Sequence, residues 1–262
     1  MLLATWNVNS IRARLERLVS WLGARAPDVV CLQETKCDDA QFPFAELAAA
    51  GYRAVAHGQK TYNGVAILAR VEPRDVSRGL GDGAEDSQRR VIAASFGPLR
   101  VVCAYAPNGQ AIGSSAYEYK LAWFRRLRHS LEAQSRPGEL LAVCGDFNVA
   151  PEPRDVYAPG LFENQVLYSA AEREALTHLL GYGLRDAFRL HHGEPGRYSW
   201  WDYRMLSFAH NRGLRIDHLL LSAALAERCR ACDIDRGARK GKQPSDHAPV
   251  WALLDVESSF KI

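Results

Sequence analysis

The stretch "LLAVCGDFNVA", residues 140–150, is apolar from Leu140 to Cys144 and then turns polar at Asp146 and Asn148. A short apolar run bounded by turn residues reads as a buried strand. Its polar end marks where loops, and with them chemistry, converge in an α/β fold. Working outward, strand-like runs recur at 2–8, 28–34, 64–70, 91–96, 99–105, 140–146, 215–221 and 249–255, and two of them end alike, in "WNVNS" and "GDFNVA". Amphipathic helices separate several of these runs. One is expected after Ser10, a candidate N-cap, with Ile11, Leu15, Leu18, Val19 and Leu22 on its inner stripe. A second spans 116–134, with Tyr117, Leu121, Phe124, Leu127 and Leu131 facing inward. Strands mixed with helices, some joined by direct turns such as "RVEPRD" (70–75), predict an α/β sandwich with two packed sheets.

At 262 residues and with no dividing linker, the chain is expected to form one domain over 1–262. A content of 47% hydrophobic and 24% charged residues suits a globular protein with a sizeable core and argues against disordered and membrane classes. No apolar run approaches the roughly 18 residues of a membrane span, and the start, "MLLATWNV", lacks the basic region of a signal peptide. A cytoplasmic protein without a membrane partner is expected. Cys31, Cys103 and Cys144 lie in apolar runs and read as small core residues, and the C-x-x-C of Cys229 and Cys232 lacks a second ligand pair to complete a zinc site. A net charge of +3 and a pI near 8.5 permit an anionic partner without requiring one. Segment 151–168 breaks the periodicity and reads as a long surface loop kept for binding. The basic run "GARKGKQ" (237–243) reads as a solvated turn, with a phosphate-contacting loop as the alternative. No internal sequence repeat is evident.

The polar residues at the strand ends are Asn7, Glu34, Asp146 and Asn148, joined by Asp217 inside an apolar run and by Asp246 and His247 before another. Singly, each has a bland reading, because Asn and Asp are common in turns. Together they imply a paired or metal-bound cluster, since isolated carboxylates are costly to bury. Oxygen ligands from Asp, Glu and Asn suit Mg²⁺ or Mn²⁺ better than zinc, so a metal-assisted hydrolase is the leading class. Rival sites fail on spacing: Ser245, Asp246 and His247 are consecutive, no G-x-S-x-G or H-E-x-x-H occurs, and the glycines of "GLGDGAED" (79–86) miss both the P-loop and dinucleotide patterns. Arg12, Arg17, Arg89 and Arg90 are candidates for phosphate contacts, the alternative for each being a solvated surface charge.

Taken in order, "WNVNSIRAR", "PDVVCLQETK", "YNGVAIL", "QRRVI", "YAPNG", "GDFNVAP", "YSWWDYR", "NRGLRIDHLLLS" and "PSDHAPV" span nearly the whole chain. This set resembles the exonuclease III family of apurinic/apyrimidinic endonucleases, within the larger endonuclease–exonuclease–phosphatase superfamily. The resemblance implies a four-layer α/β sandwich, two mixed sheets packed face to face and flanked by helices, in a monomer. It also implies Mg²⁺-dependent cleavage of double-stranded DNA 5′ to abasic sites, with 3′–5′ exonuclease or 3′-phosphodiesterase action on blocked 3′ ends. By the same resemblance, Glu34 is the principal metal ligand, helped by Asn7, with Asp246 supporting the metal or the histidine loop. Asp146 orients or deprotonates the attacking water, and Asn148 lies beside it at the scissile phosphate. Tyr105 and Asn108 are further phosphate-side donors, while His247 contacts the phosphate with Asp217 holding its imidazole. Trp200, Leu214 and Ile216 surround the flipped-out abasic sugar, a lining that suits a nucleotide lacking its base.

Asn9 stands where some family members carry Asp, a departure that counts against a second metal ion. Two alternatives remain beside this reading. A phosphoesterase of the same superfamily acting on an inositol phosphate or a sphingolipid headgroup would share the metal site but not "YSWWDYR" and "NRGLRID". A non-catalytic DNA-binding relative would be expected to have lost at least one of the site residues.

Overall fold

The central apolar runs form strands buried at every position, including the polar residues at their ends. In the computed structural model, which describes residues 1–84, 86–136 and 138–256, this holds for β2 (Val29–Gln33), β4 (Val65–Ala69) and β10 (Asp217–Ser222). Positions 85, 137 and 257–262 of the expected 1–262 domain lie outside the described residues. The other strands are β1 (Leu2–Asn7), β3 (Arg53–His57), β5 (Arg74–Arg78), β6 (Val91–Phe96), β7 (Leu99–Tyr105), β8 (Leu140–Asp146), β9 (Leu184–Asp186), β11 (Cys229–Ile234) and β12 (Val250–Leu254). They form two mixed six-stranded sheets, in the orders β11-β12-β1-β2-β4-β3 and β5-β6-β7-β8-β10-β9.

The two sheets have the same plan. In each, a central parallel pair, β1 with β2 or β7 with β8, is flanked on both sides by antiparallel neighbours. A structural repeat therefore exists where no sequence repeat does, because equivalent strands need only equivalent burial. Turn "RVEPRD" joins β4 to β5 and carries the chain from one sheet to the other.

Strand period 2 sorts the core into layers. Val29 and Cys31 of β2 face Cys103, Ala142, Cys144 and Leu219 across the inter-sheet core. Val30 and Leu32 point the other way, beneath Leu18, Trp21 and Leu22 of α1 (Leu15–Arg25) and Leu47 of α2 (Phe44–Ala49). On the far side, Trp123, Phe124 and Leu127 of α3 (Ser115–Gln134) and Leu176 and Leu179 of α5 (Ala170–Leu180) cover Leu141, Val143 and Leu220. The result is the expected helix–sheet–sheet–helix order. All six cysteines are buried and free. Gly145 permits the tight β7–β8 pairing: a Cβ there would lie 1.7 Å from the Ala104 carbonyl oxygen. No helix among the described residues is long and apolar enough to cross a membrane.

Three sequence expectations need correction. Helix α1 starts at Leu15, with Arg14 in the cap position, and not after Ser10. Residues 11–14 form a turn before it, in which Arg14 N–H donates to the Ser10 and Ile11 carbonyls at 3.2 Å each and Ala13 N–H to Ser10 Oγ at 3.4 Å. Segment 151–168 is not wholly surface: it holds a 3₁₀ turn (Pro153–Asp155) and the short α4 (Pro159–Phe162), and buries Asp155, Val156 and Tyr168. In "GARKGKQ", Arg239 is buried, with its guanidinium over the rings of Tyr203 and Phe208.

Candidate active site

The polar strand ends meet at one edge of the sandwich. Asn7 ends β1, and Glu34 follows β2, its parallel neighbour. Asp146 ends β8, opposite Tyr105 of β7 and Asp217 of β10. His247 arrives on the segment leading into β12, which is tied down by Ser245: its hydroxyl donates to the Asn7 carbonyl at 2.7 Å. Both Glu34 and Asn148 have φ near +50°, in the left-handed region. Strained backbone of this kind is held by surrounding structure and clusters at functional sites.

Asn7 joins the two sheets' carboxylates, donating from Nδ2 to Glu34 Oε1 at 2.8 Å and to Asp146 Oδ2 at 2.9 Å. Lys36 pairs with Glu34 Oε2 at 2.7 Å and donates to Asn9 Oδ1 at 2.6 Å. Burial pushes Glu34 up, but Lys36 and the Asn7 hydrogen bond outweigh it and hold the carboxyl below its ordinary range. His247 Nδ1 meets Asp217 Oδ2 at 2.9 Å, and its Nε2 stands 3.7 Å from Asp146 Oδ2. Burial opposes the imidazolium; Asp217 and Asp146 overcome it and raise His247 to about 10. Asp146 is pushed up to about 7, first by burial and then by the nearby charges of Asp217 and Glu34, against the pull of His247. Burial, with Glu34 and Asp146 adding to it, lifts the Tyr105 phenol well above its ordinary value, so it stays a proton donor.

Glu34, Asp146 and His247 each present a ligand atom, and these atoms lie within 4.8 Å of one another. Two carboxylates beside the Asn7 amide are a hard, oxygen-rich donor set that fits Mg²⁺ or Mn²⁺. Asn148 borders this set, donating through Nδ2 to the Ala106 carbonyl at 3.0 Å, with its own backbone N–H on Asp146 Oδ1 at 2.9 Å. Asn108 reaches Asn148 Oδ1 at 3.4 Å.

Asp246 does not join the metal-capable group. Its Oδ1 accepts from Asn9 Nδ2 at 2.9 Å and its Oδ2 from the Trp200 indole at 3.1 Å. It steadies Trp200 and the β1 loop. The arginines also divide. Arg12 is exposed, touching Gln41. Arg17 gives its guanidinium to the carbonyls of Ala238, Lys240 and Lys242, so it braces the basic loop. Arg89 donates to the Gly58 carbonyl, and Arg90 stacks 4.6 Å over the Tyr105 ring while bonding the Tyr105 carbonyl. All four thus have partners within the chain, and Arg12 is the one whose partner lies at the exposed surface.

Trp200 and Leu214 pair as a β-bridge, and Trp200 also bridges to His247, which puts the expected sugar-binding trio beside the site. Leu214 and Ile216 are 0 and 1% exposed, however, packed with Val156 and Tyr168, and Leu167 and Phe162 close over them. Leu214 and Ile216 therefore belong to the packed core beneath Trp200, and of the trio Trp200 alone is only partly buried. Between Leu214 and Ile216, the buried Arg215 pairs with Asp155 at 2.6 Å and Asp186 at 2.7 Å, and Arg189 also reaches Asp155. Sequence reasoning missed Lys36, although it stands within "LQETK". It also missed Ser199, whose hydroxyl accepts from the amides of Ile216 and Asp217 at 3.1 Å each. A serine among the aromatic residues of "RYSWWD" gives no signal of that role.

Residues 4–247 match the endonuclease/exonuclease/phosphatase family. The chain is 37% identical to exodeoxyribonuclease III of Haemophilus influenzae, over 95% of this chain and 97% of that one. It is similar in structure to an AP endonuclease from Archaeoglobus fulgidus, with a TM-score of 0.95 and 40% identity over 98% of this chain and all of the other. It is also similar to the 3′ phosphatase NExo from Neisseria, solved with a product DNA hairpin, with a TM-score of 0.94 and 41% identity over 98% and 100% of the two chains.

Proposed function

The chain belongs to the endonuclease/exonuclease/phosphatase family and is a nuclease of the exonuclease III and AP endonuclease type; within that class we propose that it hydrolyses the phosphodiester 5′ to an abasic site in double-stranded DNA. Trimming of blocked 3′ ends by the same site belongs to this proposal, as does Mg²⁺ as the ion. The observation that carries it is the convergence of Glu34, Asp146 and His247 within 4.8 Å of one another, with the partly buried Trp200 bridged to His247 alongside. The convergent groups suit an anionic phosphodiester, and the apolar neighbour suits a sugar without its base.

Glu34, with Asn7 and Asp146 beside it, would hold the divalent cation, which when bound would offset negative charge on the phosphate. The remaining work belongs to side chains. Asp146, titrating near neutrality, is matched to accept a proton from the attacking water. His247, cationic at neutral pH, directs Nε2–H at a non-bridging oxygen, and Asp217 keeps the ring in that orientation. Tyr105 and Asn108 donate on the phosphate side, and Asn148 positions Asp146 through its own amide.

The test is a comparison of catalysis with binding. Glu34→Gln should lose activity on a one-abasic-site duplex by about 10²-fold or more, while Kd for the same duplex changes little, because affinity comes chiefly from many phosphate contacts. Full turnover by the wild type in excess chelator would remove the metal assignment.

A further inference from the structure

Lys120 lies on the inner face of α3 with no exposed surface, an unusual place for an ammonium. Its Nζ has three protons, and each has an acceptor: the Asn108 carbonyl at 3.0 Å, the Asn148 carbonyl at 2.7 Å and Glu172 Oε1. Those carbonyls belong to loops that leave different strands, one after β7 and the other after β8. The side chains of the two asparagines meet only at 3.4 Å, too weakly to fix each other. Glu172 is saturated in turn. It also accepts from the amides of Leu167 and Ser169, both at 3.0 Å, and from the Ser169 hydroxyl at 2.6 Å. Leu167 belongs to the apolar cluster of Leu214 and Ile216.

We propose that Lys120 is a positioning residue: held by Glu172, its ammonium fixes the spacing of Asn108 and Asn148 and locks the phosphate side of the site to the sugar side. Stability alone gives a poor reason for the pair, since replacing a buried ion pair by apolar side chains of similar volume is often neutral or stabilising. What methionine and leucine cannot do is hold two carbonyls from separate loops at fixed distances. Gly109 fits the same arrangement, because a Cβ there would come within 3.1 Å of both Lys120 Cδ and Val166 Cγ1, so the loop lies directly against the lysine stem. Lys120 touches no reacting atom; it acts through the two asparagines.

This inference rests on the nuclease reading, and its test separates the two. Steady-state rates on an abasic duplex with Mg²⁺ are measured for wild type, Lys120→Met, the double variant Asn108→Ala/Asn148→Ala, and the triple combination, per folded molecule as judged by circular dichroism. Lys120→Met should lower kcat about tenfold or more with KM within about twofold, since small misplacements at a reacting centre cost rate before affinity. In the asparagine-free background the same substitution should cost less than about threefold, because groups acting as one unit are non-additive. If Lys120→Met does not fold, Glu172→Gln, which keeps an acceptor oxygen but removes the charge, is read by the same two criteria. An unchanged kcat, or an equal loss in both backgrounds, overturns the proposal while leaving the function intact. A wild type that cleaves no DNA phosphodiester overturns both.

Discussion

His247 is held between two carboxylates, and the asymmetry of its contacts divides their roles. Asp217 is in hydrogen-bond contact with Nδ1, whereas Asp146 stands 3.7 Å from Nε2, leaving that nitrogen room to serve a phosphate oxygen. His247→Ala should therefore lower kcat by about 10²–10⁴-fold. Asp217→Asn, which keeps a side-chain partner for the ring, should cost less. If Asp217→Asn were the more damaging in single-turnover assays, the two roles would have to be exchanged. Trp200 offers a second prediction at this scale. Trp200→Ala should lower the ratio of abasic-site incision to digestion of undamaged 3′ ends, measured at one salt concentration, with metal-dependent hydrolysis retained; an unchanged ratio would take Trp200 out of substrate choice. Most of these residues were legible in the sequence because each is a polar side chain where an apolar strand ends. Asp246, expected to support the metal or the histidine loop, points to the opposite side from His247 on an extended segment and turns toward Trp200 and Asn9. Lys120 was illegible because a lysine within a helix reads as solvated.

At the scale of elements, the strands found in the sequence and those missed fall on a physical boundary. The eight expected runs became the interior strands of the two sheets. The four missed strands, β3, β5, β9 and β11, are the four sheet edges. Edge strands need cover on fewer sides and carry polar side chains, as the largely uncovered "RDVSR" of β5 does, so no apolar run announces them. The apolar cluster beneath Trp200 is flanked by another element-level feature, the buried Arg215–Asp155 pair that fastens segment 151–168 to the stretch leading into β10. Burial alone would push Asp155 up, but the charge and hydrogen bonds of Arg215 hold it below the ordinary carboxylate range. A depressed carboxyl contributes stability above its unfolded pKa of about 3.9 and loses it as pH falls through the folded value. Asp155→Asn should thus destabilise the fold by about 1.5–3 kcal/mol near pH 7, removing one charged partner of Arg215 and leaving it the pair with Asp186. Urea unfolding should show the gap between wild type and variant narrowing below about pH 4. A gap independent of pH would mean that packing, and not the charge of Asp155, holds the segment.

At the scale of the molecule, two sheets of the same plan bring their polar strand ends to a common edge. Each supplies part of the polar cluster: Asn7, Glu34 and His247 come with one sheet, and Tyr105, Asp146 and Asp217 with the other. The site therefore requires the whole sandwich, and DNA binding should weaken steeply as salt rises, as it does wherever phosphate contacts dominate. The most direct measurement of the central claim is the chemistry of the cut. A duplex with one abasic site, end-labelled 5′ to the lesion, is incubated with the wild-type protein and Mg²⁺, and the new 3′ terminus is identified by mass. Hydrolysis by the Glu34–Asp146–His247 site predicts a 3′-hydroxyl, formed only with the divalent ion and absent with Asp146→Asn. A 3′-unsaturated aldehyde formed equally well in chelator would mean elimination on the 3′ side of the sugar, and would contradict the account.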